Sequence, residues 1–196
     1  MTSLKSEAGS AKKAAEVLLQ GKIAVLPTDT VYGFSAVSIL DKKKSGLDIK
    51  IDQIKKSAAS KPLIELISDP LDIYKYTDQE IPKKIFERWP GPVTVIVKNN
   101  AWYKGLTGRE ATAFRCPGDE WLRKVIELCG CPIYSTSVNI SGSPVLDAEA
   151  AIEAEFASKI DLFVRDGDKT GGIPSTLVSL AEGEIKILRQ GAVLID

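Results

Sequence analysis

The stretch Tyr134-Ser135-Thr136-Ser137-Val138-Asn139-Ile140-Ser141-Gly142 constrains the fold more than any other part of this chain. An apolar run from Cys131 to Tyr134 reads as the end of a buried strand. It delivers at once into hydroxyls and an amide, closed by a Ser-Gly turn. Short polar side chains at a strand terminus favour bound turns and open backbone N–H groups, the means by which proteins hold phosphates and carboxylates. A plain strand–turn rich in Ser and Asn has the same look, so this stretch alone leaves both readings open.

Two further segments bear on that choice. In Val25-Leu26-Pro27-Thr28-Asp29-Thr30-Val31-Tyr32-Gly33 a short β-prone run stops at Pro27, which cannot donate to a sheet ladder, and the hydroxyls that follow fall on an exposed loop. Gly33 permits a positive-φ turn or a close backbone approach. Ile173-Pro174-Ser175-Thr176-Leu177-Val178 is a second Pro-led hydroxyl cluster, here at the start of a strand. Each could be an ordinary turn; together, beside strand ends, they suggest one polar cleft.

At 196 residues, 44% hydrophobic and 27% charged, the chain suits one α/β domain spanning residues 1–196. No apolar run approaches the roughly 20 residues that span a bilayer, and residues 1–10 lack a signal-peptide core. The expectation is a cytoplasmic protein with no membrane partner. Lys and Arg number 26 and Asp and Glu 26, so no global field draws the chain to nucleic acid. Lys42, Lys43, Lys44, Lys50, Lys55, Lys56 and Lys61 crowd one early region, as a solvated face or a local basic one. Cys116, Cys129 and Cys131 read as free thiols, since no second pair completes a zinc site. The chain has no histidine. That removes Ser-His-Asp and Cys-His hydrolases, imidazole bases and His-ligated metals, leaving positioning, carboxylates, Lys/Arg charge or substrate-bound magnesium.

Along the chain, Ser10 is expected to cap a helix carrying Ala14, Val17 and Leu18 on one face, with Gly21 at its end. Strand Ile23–Leu26 follows, then a lysine-rich connection, a helix near Ile49–Lys56 and strand Leu63–Ile67. Helices are expected near Pro70–Tyr76 and Ile81–Trp89, and a strand over Val93–Val97. After an Asn-Asn turn and a polar loop come strand Ala111–Arg115, helix Glu120–Cys129 capped by Asp119, and strand Pro132–Ser137. Helix Ala148–Phe156, strand Asp161–Val164, a glycine-bounded loop over 167–172, and the pair Leu177–Leu180 and Ile185–Arg189 complete the reading. Strands alternating with helices, several of them adjacent, argue for a mixed twisted sheet flanked by helices.

PTDTVYG, KPLIEL, WPGPVTVIV, AFRCP, STSVNISG, PSTLV and ILRQGAV occur in the order seen in the YrdC/TsaC family of threonylcarbamoyl-AMP synthases, which this chain resembles from about Lys22 to Ala192. The resemblance implies an α/β fold of YrdC-like type, a twisted mixed sheet flanked by helices with a concave substrate cleft. It implies that L-threonine takes up bicarbonate to give a carbamate, which attacks the α-phosphate of ATP, carried with Mg2+, to form threonylcarbamoyl-AMP and pyrophosphate. A downstream transferase complex then passes the group to an adenosine in tRNA. Such chemistry needs no protein nucleophile or protein-bound metal, only two anionic reactants held in line with their charge neutralised.

The same resemblance carries roles to single residues. Lys55 stands at the lysine of the family's K-x-R segment and, with Ser137 and Asn139 of its S-x-N motif, is expected at the catalytic, nucleotide-binding centre. Arg189, in ILRQG, is expected to reach the phosphates, where a planar fork suits oxyanions. Thr30, Tyr32, Ser135 and Ser175 match positions around the threonine pocket, and Arg115 lies on a strand facing the cleft; for both arginines the alternative is an exposed strand-end charge. Three departures stand out: Ser57 replaces the arginine of K-x-R, Leu66 replaces a frequent histidine, and S-T-S-V-N replaces A-P-S-A-N, in the manner of YciO-like relatives. Lys56 or Lys61 is the nearest cation to supply the missing nucleotide contact. The alternatives are a YciO-like paralogue with another acyl substrate, or an RNA-binding module without chemistry that contacts RNA directly.

Overall fold

In a computed structural model describing residues 1–57 and 63–195, the alternating β-prone and amphipathic segments assemble one ten-stranded mixed sheet with helices against it. In chain order the elements are β1 (Thr2–Leu4), α1 (Ser10–Leu19), β2 (Ala24–Leu26), β3 (Gly33–Val37), a small hairpin of β4 (Ile39–Leu40) and β5 (Lys43–Lys44), α2 (Leu47–Ile54) and β6 (Ile64–Leu66). A 3-10 turn (Pro70–Lys75), α3 (Lys83–Phe86), β7 (Val93–Lys98), α4 (Ala101–Thr107) and β8 (Ala111–Arg115) follow. The chain closes with α5 (Glu120–Cys129), β9 (Ile133–Ser137), α6 (Glu149–Phe156), β10 (Leu162–Arg165), β11 (Thr176–Ser179) and β12 (Lys186–Arg189). The sheet order is β1-β10-β2-β3-β9-β6-β8-β7-β11-β12, with parallel and antiparallel neighbours mixed.

Register gives this sheet two unlike faces. Paired residues share a face and successive residues alternate. Ala36, Tyr134, Glu65, Phe114, Val95 and Val178 form one continuous cross-strand row, and every member is closed to solvent. The adjacent row, on the other face, is Ser35, Ser135, Ile64, Ala113, Ile96 and Ser179. Its members are small, hydroxylated or aliphatic, and Ser135, Ile64, Ile96 and Ser179 are half-exposed. One face is sealed and the other is partly open.

The sealed face buries a charge. Glu65 accepts from Arg109 Nη2 at 2.5 Å and from the hydroxyl of Tyr103, and Tyr103 is itself packed among Tyr76, Trp102 and Phe114. A buried carboxylate is tolerated only with such partners.

Several sequence expectations need correction. Ser10 does not cap α1: Gly9 takes that position in the left-handed region, and the Ser10 hydroxyl instead donates to Lys5 O while accepting from Trp121 Nε1. The lysine-rich connection contains β3 and the β4–β5 hairpin, because Gly33 opens a fully buried strand rather than a turn. Ser135 Oγ lies 2.8 Å from where a Cβ on Gly33 would stand, so a side chain there would force the Ser135 hydroxyl to turn away. The polar loop after Asn99 is α4, capped by Asn100 Oδ1 accepting from Tyr103 N–H at 2.9 Å. The helix expected over Ile81–Trp89 shrinks to Lys83–Phe86, and β1, too short for a periodicity signal, joins the sheet edge beside β10.

Removing the partner of Glu65 is the expected weak point. Arg109→Ala should lower unfolding free energy in urea by about 3–5 kcal/mol, the scale of an uncompensated buried charge. The double change Glu65→Met with Arg109→Met should recover most of that loss, and a single change without effect would mean that Glu65 finds another cation.

Candidate functional site

Helix α2 ends in a turn that aims Lys55 inward. Lys56 adopts φ +51°, its N–H donates to Gln53 O at 3.1 Å, and the Ser57 N–H reaches back to Asp52 O at 2.9 Å. This is the paired bonding of a Schellman cap with lysine where glycine is usual. Lys55 is only 7% exposed. Its ammonium donates to Ser137 O at 2.5 Å, Asn139 Oδ1 at 2.8 Å and Asn139 O at 3.1 Å, so each of its three N–H donors has an acceptor. The Ser137 hydroxyl donates to the same Asn139 Oδ1 at 2.9 Å, while Asn139 Nδ2 donates to Ile140 O and Ser143 O. Lys55, Ser137 and Asn139, remote in sequence, therefore form one centre. Burial pushes the Lys55 ammonium down to about 8, against the opposing charge of Asp52.

A second centre surrounds Arg115. Its Nη2 donates to Asp29 Oδ1 at 2.5 Å, its Nη1 to Thr30 Oγ1 at 3.1 Å and its Nε to Gly91 O at 3.1 Å. Burial lowers the Arg115 pKa, with Asp29 opposing and the nearby Arg189 charge adding to the lowering. Arg189 donates through Nη2 to Ser175 O at 2.9 Å, and the Ser175 hydroxyl pairs with Thr94 Oγ1 at 2.7 Å. Gly191 allows this contact, because a Cβ there would lie 2.3 Å from Pro174 O and 2.4 Å from Thr176 N. The Arg115 guanidinium thus bonds one carboxylate and feels a second guanidinium nearby, an arrangement suited to an anion.

The PTDTVY segment joins the two centres. Residues 27–32 are the loop between β2 and β3, whose register begins at Leu26 opposite Gly33. Thr28 Oγ1 builds the turn by donating to Val31 O at 2.7 Å and accepting from Thr30 N–H at 3.0 Å. Asp29 and Thr30 touch Arg115 at one end, and Tyr32 O accepts from Val138 N–H at the other. Ser135 and Ser137 lie on the half-open face. Strand alternation puts Arg115 two residues beyond Ala113 on that face, with Arg189 opposite Leu177, the partner of Thr94. The Ser135 hydroxyl bonds no protein group among the described residues.

Other candidates fall elsewhere. Tyr32 is closed to solvent, its hydroxyl donating to Glu149 Oε1 or Gly167 O and accepting from Asp166 N–H, so it anchors the loop from below. Lys56 borders a separate groove with Gly21, Lys50, Lys159 and Asp161. Lys61 lies outside the described residues. Sequence reasoning did not single out Asp29, Thr94 or the Gly91 carbonyl. Asp29 had the better signal, as the one acid between two threonines in PTDT. Among the described residues no group of His, Cys, Asp and Glu could hold a metal, and no helix is long and apolar enough to cross a membrane.

A large mixed sheet flanked by helices defines the structural class, a mixed α/β fold. The chain belongs to the Sua5/YciO/YrdC family, described as telomere recombination, whose model matches residues 16–191. It is 31% identical to a Methanocaldococcus jannaschii protein over 181 residues, 91% of this chain and 84% of that one. It is likewise 31% identical to the threonylcarbamoyl-AMP synthase of Pyrococcus abyssi over 93% of this chain and 54% of that protein. The Bacillus subtilis threonylcarbamoyl-AMP synthase is 31% identical over 92% of this chain and 53% of that protein. The chain thus spans about half the length of these last two relatives. Among solved structures, P. abyssi Sua5 complexed with L-threonine superposes with a TM-score of 0.81 at 30% identity, over 95% of this chain and 55% of that one. Escherichia coli YciO shares the fold, with a TM-score of 0.81 at 20% identity over 98% of this chain and 94% of that one.

Lys55 sets a pH dependence. Its folded pKa is depressed from 10.5 to about 8, so between those values the unfolded chain still binds a proton that the folded chain has released. The cost of holding the ammonium inside is complete below pH 8 and is relieved as pH rises towards 10.5. The unfolding free energy of the wild type should therefore gain on that of Lys55→Met across this window, by up to about 3 kcal/mol. A difference that stays flat from pH 7 to pH 10 would show that the three oxygen acceptors hold the proton as firmly as water does.

Proposed function

We propose that this chain is a nucleotidyltransferase, an L-threonylcarbamoyladenylate synthase that uses ATP, bicarbonate and L-threonine in tRNA threonylcarbamoyladenosine formation. The observation that carries the reading is a pair of cation centres, Lys55 with Ser137 and Asn139 and Arg115 with Arg189 near it, joined by the loop over 27–32; among the described residues Asp29 is the one carboxylate that bonds directly to any of these cations. The names of the P. abyssi and B. subtilis relatives support it, as does the L-threonine in the P. abyssi complex.

In this reading the carbamate oxygen attacks the α-phosphorus of ATP, the bond to the bridging oxygen breaks, and pyrophosphate leaves with its Mg2+. Lys55 and Arg189 neutralise phosphate oxygens, and Ser137 and Asn139 orient the nucleotide. Thr30, Ser135, Ser175 and Arg115 hold the amino acid. Arg115 spends three of its five N–H donors on Asp29, Thr30 and Gly91, which keeps the fork fixed while leaving donors for a carboxylate. Lys55 must give up or share carbonyl acceptors when phosphate arrives, an exchange of one oxygen set for a more negative one. A downstream complex carries the product to tRNA.

Arg189→Ala should weaken ATP binding by about 1.5–3 kcal/mol in calorimetry with the fold intact, as for loss of one charge-assisted contact. Unchanged affinity would return Arg189 to the role of bracing Ser175.

The second reading, a YciO-like paralogue with another acyl substrate, is favoured by Ser57, whose side chain brings no cation where the family carries arginine. Incubation with ATP, Mg2+, bicarbonate and L-threonine separates the two. Threonylcarbamoyl-AMP and pyrophosphate formed in equal amounts support the synthase, and pyrophosphate only with another amino acid supports the paralogue. Ser57→Arg should leave a synthase level or slower, and raise threonine-dependent turnover of an impaired paralogue by up to about a hundredfold.

A further inference from the structure

Two segments close on Asp29 and Thr30. On one, the Gly118 N–H donates to Asp29 Oδ2 at 2.9 Å, and the next residue, Asp119, caps α5 by accepting from Leu122 N–H at 3.0 Å. On the other, Asp166 follows β10 and its N–H donates to the Tyr32 hydroxyl at 2.8 Å. The same loop runs on to Gly172, whose N–H bonds Lys169 O at 3.0 Å and where a Cβ would lie 2.3 Å from Thr30 O. Neither segment contacts Thr30 through a replaceable side chain. Gly118 approaches Asp29 and Gly172 approaches Thr30, each with backbone.

The two segments meet at one ammonium. Strand β1 pairs in parallel with β10, and the Lys5 N–H extends that ladder by bonding Arg165 O at 2.8 Å. From there Lys5 Nζ reaches Asp119 Oδ2 at 2.5 Å and Asp166 Oδ2 at 3.0 Å, and the ammonium itself lies 6.0 Å from the centroid of the Trp121 ring. An exposed ion pair here would be worth little. These side chains are only 21%, 11% and 29% exposed, and two carboxylates converge on the same cation. Without it they would repel each other, with Lys169 left to serve Asp166 alone. Burial works against the Lys5 charge, yet the two aspartates raise its pKa overall.

We infer that Lys5 is a positioning residue for the amino-acid side of the site, fixing Asp29 and Thr30 by tying together the two loops that hold them. This rests on the proposed threonine site. Lys5 touches no reacting atom in that scheme; it acts through Asp119 and Asp166.

Lys5→Met keeps an unbranched stem of similar length and removes the charge. The expected result is a KM for L-threonine raised about five- to tenfold, the scale of one ordinary hydrogen bond, with kcat and the KM for ATP within about twofold. The Gly118 and Gly172 amides should exchange hydrogen faster, those of Val97 and Thr112 unchanged, and Lys5→Arg should restore both readouts. An unaltered threonine KM, or parallel loss of threonine and ATP affinity with a lower Tm, would overturn the inference by making Lys5 irrelevant or merely structural. A wild type that forms no threonine-dependent product marks failure of the functional reading instead, and unaccelerated exchange at Gly118 and Gly172 would then still reject the tie.

Discussion

The alternation of side chains along the central strands governs everything else in this molecule. Tyr134, Glu65, Phe114 and Val95 fill the sealed face, so their neighbours Ser135, Ile64, Ala113 and Ile96 must point the other way. A slip of one residue in β9 would bury Ser135 and Ser137 and turn Tyr134 outward. The bulky, aromatic row and the Glu65–Arg109 pair therefore hold the register that presents the hydroxyl row. Packing on one face specifies chemistry on the other.

Electrostatics then divides the open face into two centres of different character. Lys55 is held by oxygens of neutral groups, so its charge is not cancelled locally, and burial already makes it readier to release a proton than a solvated lysine. Arg115 is held by a carboxylate, which spends much of its charge but locks its plane. An ammonium that can exchange partners suits a phosphate chain that arrives and leaves. A locked guanidinium suits recognition of a small carboxylate with fixed geometry. The P-T-D-T-V-Y loop links the two because its first threonine bonds its own backbone, leaving Asp29 and Thr30 pointed at Arg115.

Much of this was legible in the sequence, for physical reasons that vary by element. Helix α5 and strand β8 were read with the bounds they have, because Asp119 is a side-chain cap and Ala111–Arg115 lies between the charged pair Arg109-Glu110 and Pro117. Helix α4 was missed because Trp102, Lys104 and Gly105 give it no apolar stripe, its order coming from the Asn100 cap and from Tyr103 reaching Glu65. Strand β3 was missed because Gly33 reads as a turn when its strand partner Ser137 and the Ser135 hydroxyl beside it are unknown. Ser10 was misread as a cap because its hydroxyl has a tertiary use, bridging Lys5 and Trp121, that no local rule contains.

The sequence by itself determined the set of reactive groups: no imidazole, hydroxyl clusters beside prolines and glycines, and Lys55, Arg115 and Arg189 spaced far apart. It determined the family through the order of its motifs. Only the tertiary structure decided which of those groups meet, because pairing between β3, β9, β6 and β8 is non-local and local propensity carries no information about it. It decided that Tyr32 supports the loop from beneath while Ser135 faces outward, that Lys56 turns to another groove, and that Asp29 is the partner of Arg115. A side chain's chemistry belongs to its residue type, but its charge state, its partners and its access to a ligand belong to the neighbours that folding brings to it.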